Sequence, residues 1–387
     1  MKKRKIAGII AAAVLLAVMR SDAAQVLYNT RGGVTLYCGE SCAAFNNGTA
    51  FYSEGDAEYK LDMGVCQISI PVQVRCPQSV VPGGQCIGVA LYTDGIIIVG
   101  CQDIAVKDGS RVNPARSAGL RAGDIIKQVN GKDVRNITEF VLHSEKYKQE
   151  AMELTVLRDG ESFRTKINAA YDINDDKYRL GLWLKDSTAG IGTLTCYDPE
   201  TMRFAALGHA ICESETGVLM PLARGEIVSC VINEIQKGRK GQPGELKGSF
   251  RADAECLGNI STNCEYGLYG TLVRVPGESL YREMPVGSRA SVHTGDATVL
   301  ASIDNCIKEY SIKIVTVNRQ EKRSQKGIVL QVTDRELLDK TGGIVQGMSG
   351  SPIIQDGKIV GAVTHVLVND PTRGYGIYIE NMLDAAE

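Results

Sequence analysis

The sequence predicts a mainly β protein in which a smaller α+β unit precedes a larger all-β region. Three observations carry this. From Tyr178 onward, strings such as "RFAALGHAI", "YGLYGTLVRV", "YSIKIVTVN" and "GIVLQVTD" recur, separated by Gly, Pro, Asn or Asp. Short strands at regular spacing with turn residues between them suit a sandwich or barrels. Forty-two Gly and fifteen Tyr, with many Val, Ile and Thr, favour strands and tight turns. Between Asn113 and Tyr147, by contrast, a glycine-stopped turn, a short apolar strand and a helical spacing follow one another.

Taken in order, the chain opens with Lys2, Lys3, Arg4 and Lys5 ahead of an uncharged, mostly apolar run from Ile6 to Met19, followed by "SDAA". That is the layout of an export signal, and the run is short for a spanning helix. Residues 1–24 are therefore expected to be a signal peptide or an N-terminal membrane anchor, and what remains is mildly acidic. Residues 25–84 read as β-rich, with "VCQISIPVQVRC" the clearest strand and "VVPGGQ" a linker. The twelve Cys contain no C-x-x-C, and Cys38 and Cys42 lack a matching pair or His partner. Zinc is not expected. The even count permits disulfides, and small buried hydrophobes are the other reading. No basic block meets an aromatic platform, so no nucleic-acid partner is expected. No cofactor or metal is needed by any reading below.

In the next block, "CIGVALYTDGIIIVGCQDI" predicts strand, Thr-Asp-Gly turn, strand. Asn130-Gly131 signals a hairpin turn, and Asp159-Gly160 a second. Ile137, Phe140, Val141 and Ser144 fall at helical spacing behind Asn136, a candidate N-cap. With "SAGLRAGDIIKQVNG", residues 85–170 resemble a PDZ domain of the bacterial protease-associated type. The resemblance implies a peptide ligand added as a strand beside the helix, with Ile87, Gly88 and Val89 as the carboxylate-binding loop.

The chemistry centres on "GMSGSP" near the C-terminus. Acyl transfer needs a nucleophile, a base, a group that orients the base, and donors for the oxyanion. Gly347 and Gly350 permit a sharp, open turn at Ser349, with the Gly347 and Ser349 N–H groups as an oxyanion hole. Pro352 then starts a strand that turns at Asp356-Gly357, an arrangement seen in chymotrypsin-like double β-barrels. Of four His, His209 stands at a strand end beside Gly208, where a side chain is presented to a cleft. His365 is the competing base, or else a pocket wall or structural residue. For the acid, spacing leaves Asp253, Asp296, Asp304 and Asp334 open. Asp334 could equally cap the helix "RELLDK".

The strings "GLWLKDSTAGIGTLTCYDPETMRFAALGHAI", "VVPGGQCIGVAL" and "TGGIVQGMSGSPIIQDGKIVGAVTHVLVNDPTRGYGIYIENML" resemble the stage IV sporulation protein B peptidases, from about residue 65 to the end. The chain departs from that family at Cys212 and Glu213, where an Asp is common. The resemblance implies a chymotrypsin-like double β-barrel peptidase domain over residues 178–387, preceded by the PDZ domain. It implies His209, Asp334 and Ser349 as a triad. It further implies export across the forespore membrane and autocleavage. The implied substrate is a membrane-bound regulator, whose cleavage releases an intramembrane protease that activates the late mother-cell sigma factor. The alternative is an inactive barrel whose PDZ groove serves as a scaffold.

Overall fold

The computed structural model describes residues 33–42, 50–51, 53–62, 67–147, 150–250, 254–277, 279–318 and 323–386. The basic N-terminal segment falls outside them. Six strands close a first barrel: Cys86–Cys101, Leu222–Ser229, Cys256–Cys264, Gly267–Leu272, Arg203–Ala206 and Leu182–Tyr197, the last pairing back onto the first. Val89, Leu91, Leu194, Phe204, Ile227 and Leu268 fill it. A second closed barrel takes Gly295–Ser302, Ile307–Val317, Ile328–Val332, Arg373–Tyr378, Lys358–Val366 and Pro352–Gln355. In Ile307–Val317 the alternate residues Tyr310, Ile312 and Ile314 are buried, the two-residue period of a strand with one face inward. Two six-stranded barrels side by side are the chymotrypsin-like architecture expected from the sequence.

The α+β unit is inserted into the first barrel. Its core joins Ile96, Ile98, Leu120, Ile126, Phe140 and Leu154 to Leu182 and Leu184. Asn136 caps the helix Ile137–Ser144 by accepting from the Glu139 N–H. Asn130, at φ 48°, and Gly131, at φ 74°, form the turn their dipeptide signals.

Four expectations need correction here. Thr93-Asp94-Gly95 does not turn a hairpin. One strand, Cys86–Cys101, runs straight through it, with Gly95 at φ 100° as a bend. Its first half belongs to the barrel and its second half to the inserted unit, because each half pairs with different strands. The boundaries at 85, 170 and 178 therefore shift: the strand leaves the barrel near residue 95 and Leu182–Tyr197 returns to it. Ile87, Gly88 and Val89 are not a carboxylate-binding loop. Gly88 pairs with Val228 on one side and Ile191 on the other, and its neighbours are flanked likewise. A strand paired on both edges has no N–H groups left for a peptide terminus. Finally, "VVPGGQ" is no linker. Ser79–Pro82 pairs with Cys196 and Tyr197, and the Gly83 and Gly84 N–H groups donate to Thr195 and Leu194 carbonyls.

The N-terminal strands Val34–Tyr37, Gly55–Asp62 and Gln67–Arg75 make a small sheet of their own. It is pinned to the second barrel by Glu40, which is buried and accepts from Lys358 Nζ at 2.8 Å and the Ser288 N–H at 3.1 Å. Burial opposes ionisation of Glu40, but these bonds hold its carboxyl below the ordinary range. Nearby Glu380, on the C-terminal helix Ile379–Ala386, takes the opposite course: burial pushes it up to about 7. A carboxyl whose folded pKa lies above its unfolded value stabilises the fold at low pH, and that contribution is lost as pH rises toward 7. Glu380→Gln should therefore melt higher than wild type at pH 8, with the gap closing toward pH 5. Thermal melts across that range check this, and a variant that melts lower at pH 8 would refute it.

Candidate active site

His209 is delivered by a break at the end of Arg203–Ala206. Leu207, at φ 68°, and Gly208, at φ 71°, are two successive left-handed residues that swing the chain out of the barrel wall. Leu207 adopts this at a cost of roughly 1–2 kcal/mol and drops its side chain into the barrel core. A Cβ at Gly208 would sit 3.0 Å from Thr364 and 3.1 Å from Ile377 of the other barrel. Asn263 fixes the residues that follow: it accepts from the Ile211 N–H at 2.9 Å and donates to the Ile211 and Met220 carbonyls. Sequence reasoning missed Asn263, since only the fold brings it within reach of this loop.

Ser349 comes from the second barrel, in the turn between the helix Arg335–Thr341 and the strand Pro352–Gln355. Gly347 and Gly350 stand at φ 98° and 96°, as the glycine spacing predicts. A Cβ on Gly350 would lie 2.2 Å from the Thr193 carbonyl. The first barrel grips this turn through two buried threonines: Thr193 Oγ1 donates to the Gly347 carbonyl and Thr195 Oγ1 to the Gly350 carbonyl, both at 2.8 Å. The Thr193 N–H donates to the Ser349 carbonyl at 3.0 Å. Met348, Gly350 and Ser351 N–H groups are bonded within the turn or to Val363. Among the described residues, the Gly347 and Ser349 N–H groups have no such acceptor. The string "KGRKGQPGELKG" reads in isolation as a solvated loop. Instead it shapes the site's rim: Gln346 exchanges backbone hydrogen bonds with Gly244 and Leu246.

His209, Ser349, Gly347 and His365 all line one cleft of about 460 Å³ between the barrels. Its other walls are mainly apolar, including Ile191, Leu207, Ile344, Val345 and Val366, and no carboxylate from the described residues lines it. The Ser349 hydroxyl rests on the Thr364 carbonyl at 2.8 Å. His209 Nδ1 lies 2.8 Å from the Ala210 carbonyl, which makes Nδ1 the protonated nitrogen and leaves Nε2 as the acceptor. Burial lowers the His209 pKa below its ordinary value, so the ring is neutral near pH 7. The His365 ring lies 5.2 Å away, centroid to centroid. Burial, then His209 and Lys326, push it down to about 4, a weak base for activating a hydroxyl.

Asp334 is not brought to this cleft. Its carboxylate accepts from the Leu337 N–H at 3.0 Å and caps the helix Arg335–Thr341, with the Ser311 N–H at 3.4 Å as a second donor. The capping alternative is the one realised. Among the described residues no carboxylate fills the third triad position, Asp253 lying outside them, and the Ala210 carbonyl sets the His209 tautomer. His209, His365, Gly347 and Ser349 share the one cleft.

A serine and a histidine from opposite barrels, meeting in an apolar cleft, define the class of chymotrypsin-like serine peptidases. The model of the SpoIVB peptidase S55 family matches residues 176–383, and the chain belongs to that family. Solved structures similar to parts of it include the PDZ domain of an SdrC-like protein from Listeria monocytogenes. That match has 22% identity, 24% of this chain and 87% of that one covered, and a TM-score of 0.19. The active form of the Rv3671c protease from M. tuberculosis matches at 12% identity, covering 51% and 72%, with a TM-score of 0.28. The inactive serine-to-alanine form of that protease matches at 10%, covering 51% and 81%, with a TM-score of 0.25. At these scores the family rests on its own model and the architecture on the strand pairings above.

Three predictions follow from the geometry. Only neutral His209 can accept a proton, so the acidic limb of kcat/KM should fall below pH 6.5; a pH–rate profile with its limb above pH 7 would assign the base elsewhere. Asp334→Asn preserves a helix cap, so activity should stay within about threefold, whereas losing a triad acid costs on the order of 10⁴ in kcat. Asp334→Ala should lose about 1 kcal/mol of stability in a denaturant titration.

Proposed function

We propose that the protein is an exported endopeptidase of sporulation that cuts a membrane-bound regulatory protein, and itself, in the space between forespore and mother cell. Cutting the regulator frees an intramembrane protease, which activates the late mother-cell sigma factor. The observation that best supports an active enzyme is the convergence of Ser349 and His209 on one cleft. The membership of the SpoIVB family supports the substrate and the place. Ser349 turns its hydroxyl from the Thr364 carbonyl to His209 Nε2, which takes the proton as Oγ attacks the scissile carbonyl. The Gly347 and Ser349 N–H groups stabilise the oxyanion. His209 returns the proton to the leaving amine, and water completes the second half of the cycle by the same route. Apolar walls favour an apolar side chain beside the scissile bond. The inserted unit captures a peptide segment of the substrate or of the chain itself.

A fluorophosphonate probe should label the full-length protein at Ser349. Ser349→Ala should abolish labelling and cut kcat by about 10⁴-fold or more while leaving the fold intact. Ser351, fully buried behind the turn, should be mild when replaced by alanine. N-terminal sequencing of products from the membrane-bound regulator, and of the chain itself, reads the biological half of the proposal. An unlabelled wild-type protein would favour the scaffold reading. Labelling with no Ser349-dependent cleavage of either protein would leave a peptidase with another substrate.

A further inference from the structure

Cys86 and Cys230 are used by nothing described so far, yet they face each other behind the nucleophile turn. In the antiparallel pairing of Cys86–Cys101 with Leu222–Ser229, Gly88 lies opposite Val228 and Ile87 opposite Ser229. One further step puts Cys86 across from Cys230. Ile87 and Val89 point into the first barrel, so Cys86 points to its other face. There it packs with Ile191 against the core that contains Ile232 and Leu246. Cys230 Sγ reaches the same place: it lies 2.8 Å from where a Cβ on Gly248 would be, with Ile191 3.2 Å from that point. Residues directly opposite in an antiparallel pair have Cα atoms about 4.5–5.5 Å apart, inside the roughly 4.4–6.8 Å that a disulfide spans.

We propose that Cys86 and Cys230 are a built dithiol site that closes to a cross-strand disulfide when it meets a low-molecular-weight disulfide oxidant. The two thiols already differ in acidity. A hydrogen bond from Cys86 lowers the Cys230 pKa, and that bond and burial raise Cys86. The exchange balances with Cys230 attacking first, and equally with the roles exchanged. The Cys230 thiolate attacks one sulfur of the oxidant and expels one thiolate. Cys86 then loses its proton and attacks the Cys230 sulfur of the mixed disulfide, expelling the second. Two protein thiols are oxidised and one external disulfide is reduced to two thiols. The bond would staple two strands of the first barrel across a long stretch of sequence, which includes the whole inserted unit. On its other edge Cys86 pairs with Thr193, the residue that holds Gly347 and Ser349. The staple therefore braces the strand behind the nucleophile. It does not depend on the substrate proposed above.

The test treats the folded full-length protein with glutathione disulfide, alkylates remaining thiols with iodoacetamide, and maps peptides by mass spectrometry. A peptide pair joined through Cys86 and Cys230 is expected. Oxidation should raise Tm by about 5 °C in wild type, and not in Cys86→Ala/Cys230→Ala. The wild-type map needs no variant, so it stands even if the double variant folds poorly. Alkylation of both cysteines in the treated protein, or their linkage to other cysteines instead, would overturn the proposal.

Discussion

The site depends on one contact between barrels: the strand Leu182–Tyr197 presenting Thr193 and Thr195 to the turn that carries Ser349. Two residues apart on a strand, both hydroxyls point the same way. Each donates to a carbonyl that would otherwise be buried without a partner, at Gly347 and at Gly350. Neither side of this contact is strong alone, since a neutral hydrogen bond contributes about 1 kcal/mol net. Its effect is geometric. It ties the Gly347 and Gly350 carbonyls to the first barrel and so fixes the backbone on both sides of Ser349. The close fit of Gly350 under Thr193 leaves no room for a side chain, so the glycine is required by the neighbouring barrel as much as by its own φ.

The histidine is held by a different logic. Its ring is fixed from its own loop, by the Ala210 carbonyl, and that loop is fixed by Asn263 from the hairpin formed by Cys256–Cys264 and Gly267–Leu272. A carbonyl fixes a tautomer as a carboxylate does, but it carries no charge to stabilise an imidazolium. Burial pulls in the same direction, toward the neutral ring. The resting site is thus set for accepting a proton and gives less help in keeping it.

What could be read in the sequence follows the range of the interactions. Local signals were legible: the turns at Asn130-Gly131 and Asp356-Gly357, the cap at Asn136, and the glycines around Ser349 act within a few residues. His209 and Ser349 were legible because each needs a special local backbone. Asp334 was ambiguous for the same reason, as its capping role is local and its triad role is not. Ile87 to Val89 misled because a glycine between apolar residues looks alike in a loop and in a doubly paired strand. Partners more than a hundred residues apart decide that case. Thr193, Thr195 and Asn263 carried no signal at all, since ordinary strand residues acquire their roles only when the barrels meet.

The insertion of the α+β unit within a pair of barrel strands bears on the order in which the chain assembles. Inside the unit, Ile125–Val129, Met152–Arg158 and Glu161–Ile167 pair with near neighbours in sequence. Contacts of that kind form early, because little chain entropy is lost in closing short loops. The first barrel is the reverse case: its strand Cys86–Cys101 waits for Leu222–Ser229, made much later. Once the inserted unit has folded, however, it holds the far halves of Cys86–Cys101 and Leu182–Tyr197 side by side. The near halves then lie in register at the mouth of the unfinished barrel. A sequence-distant pairing then becomes a local one, which places the inserted unit to act as a nucleus for closing the first barrel.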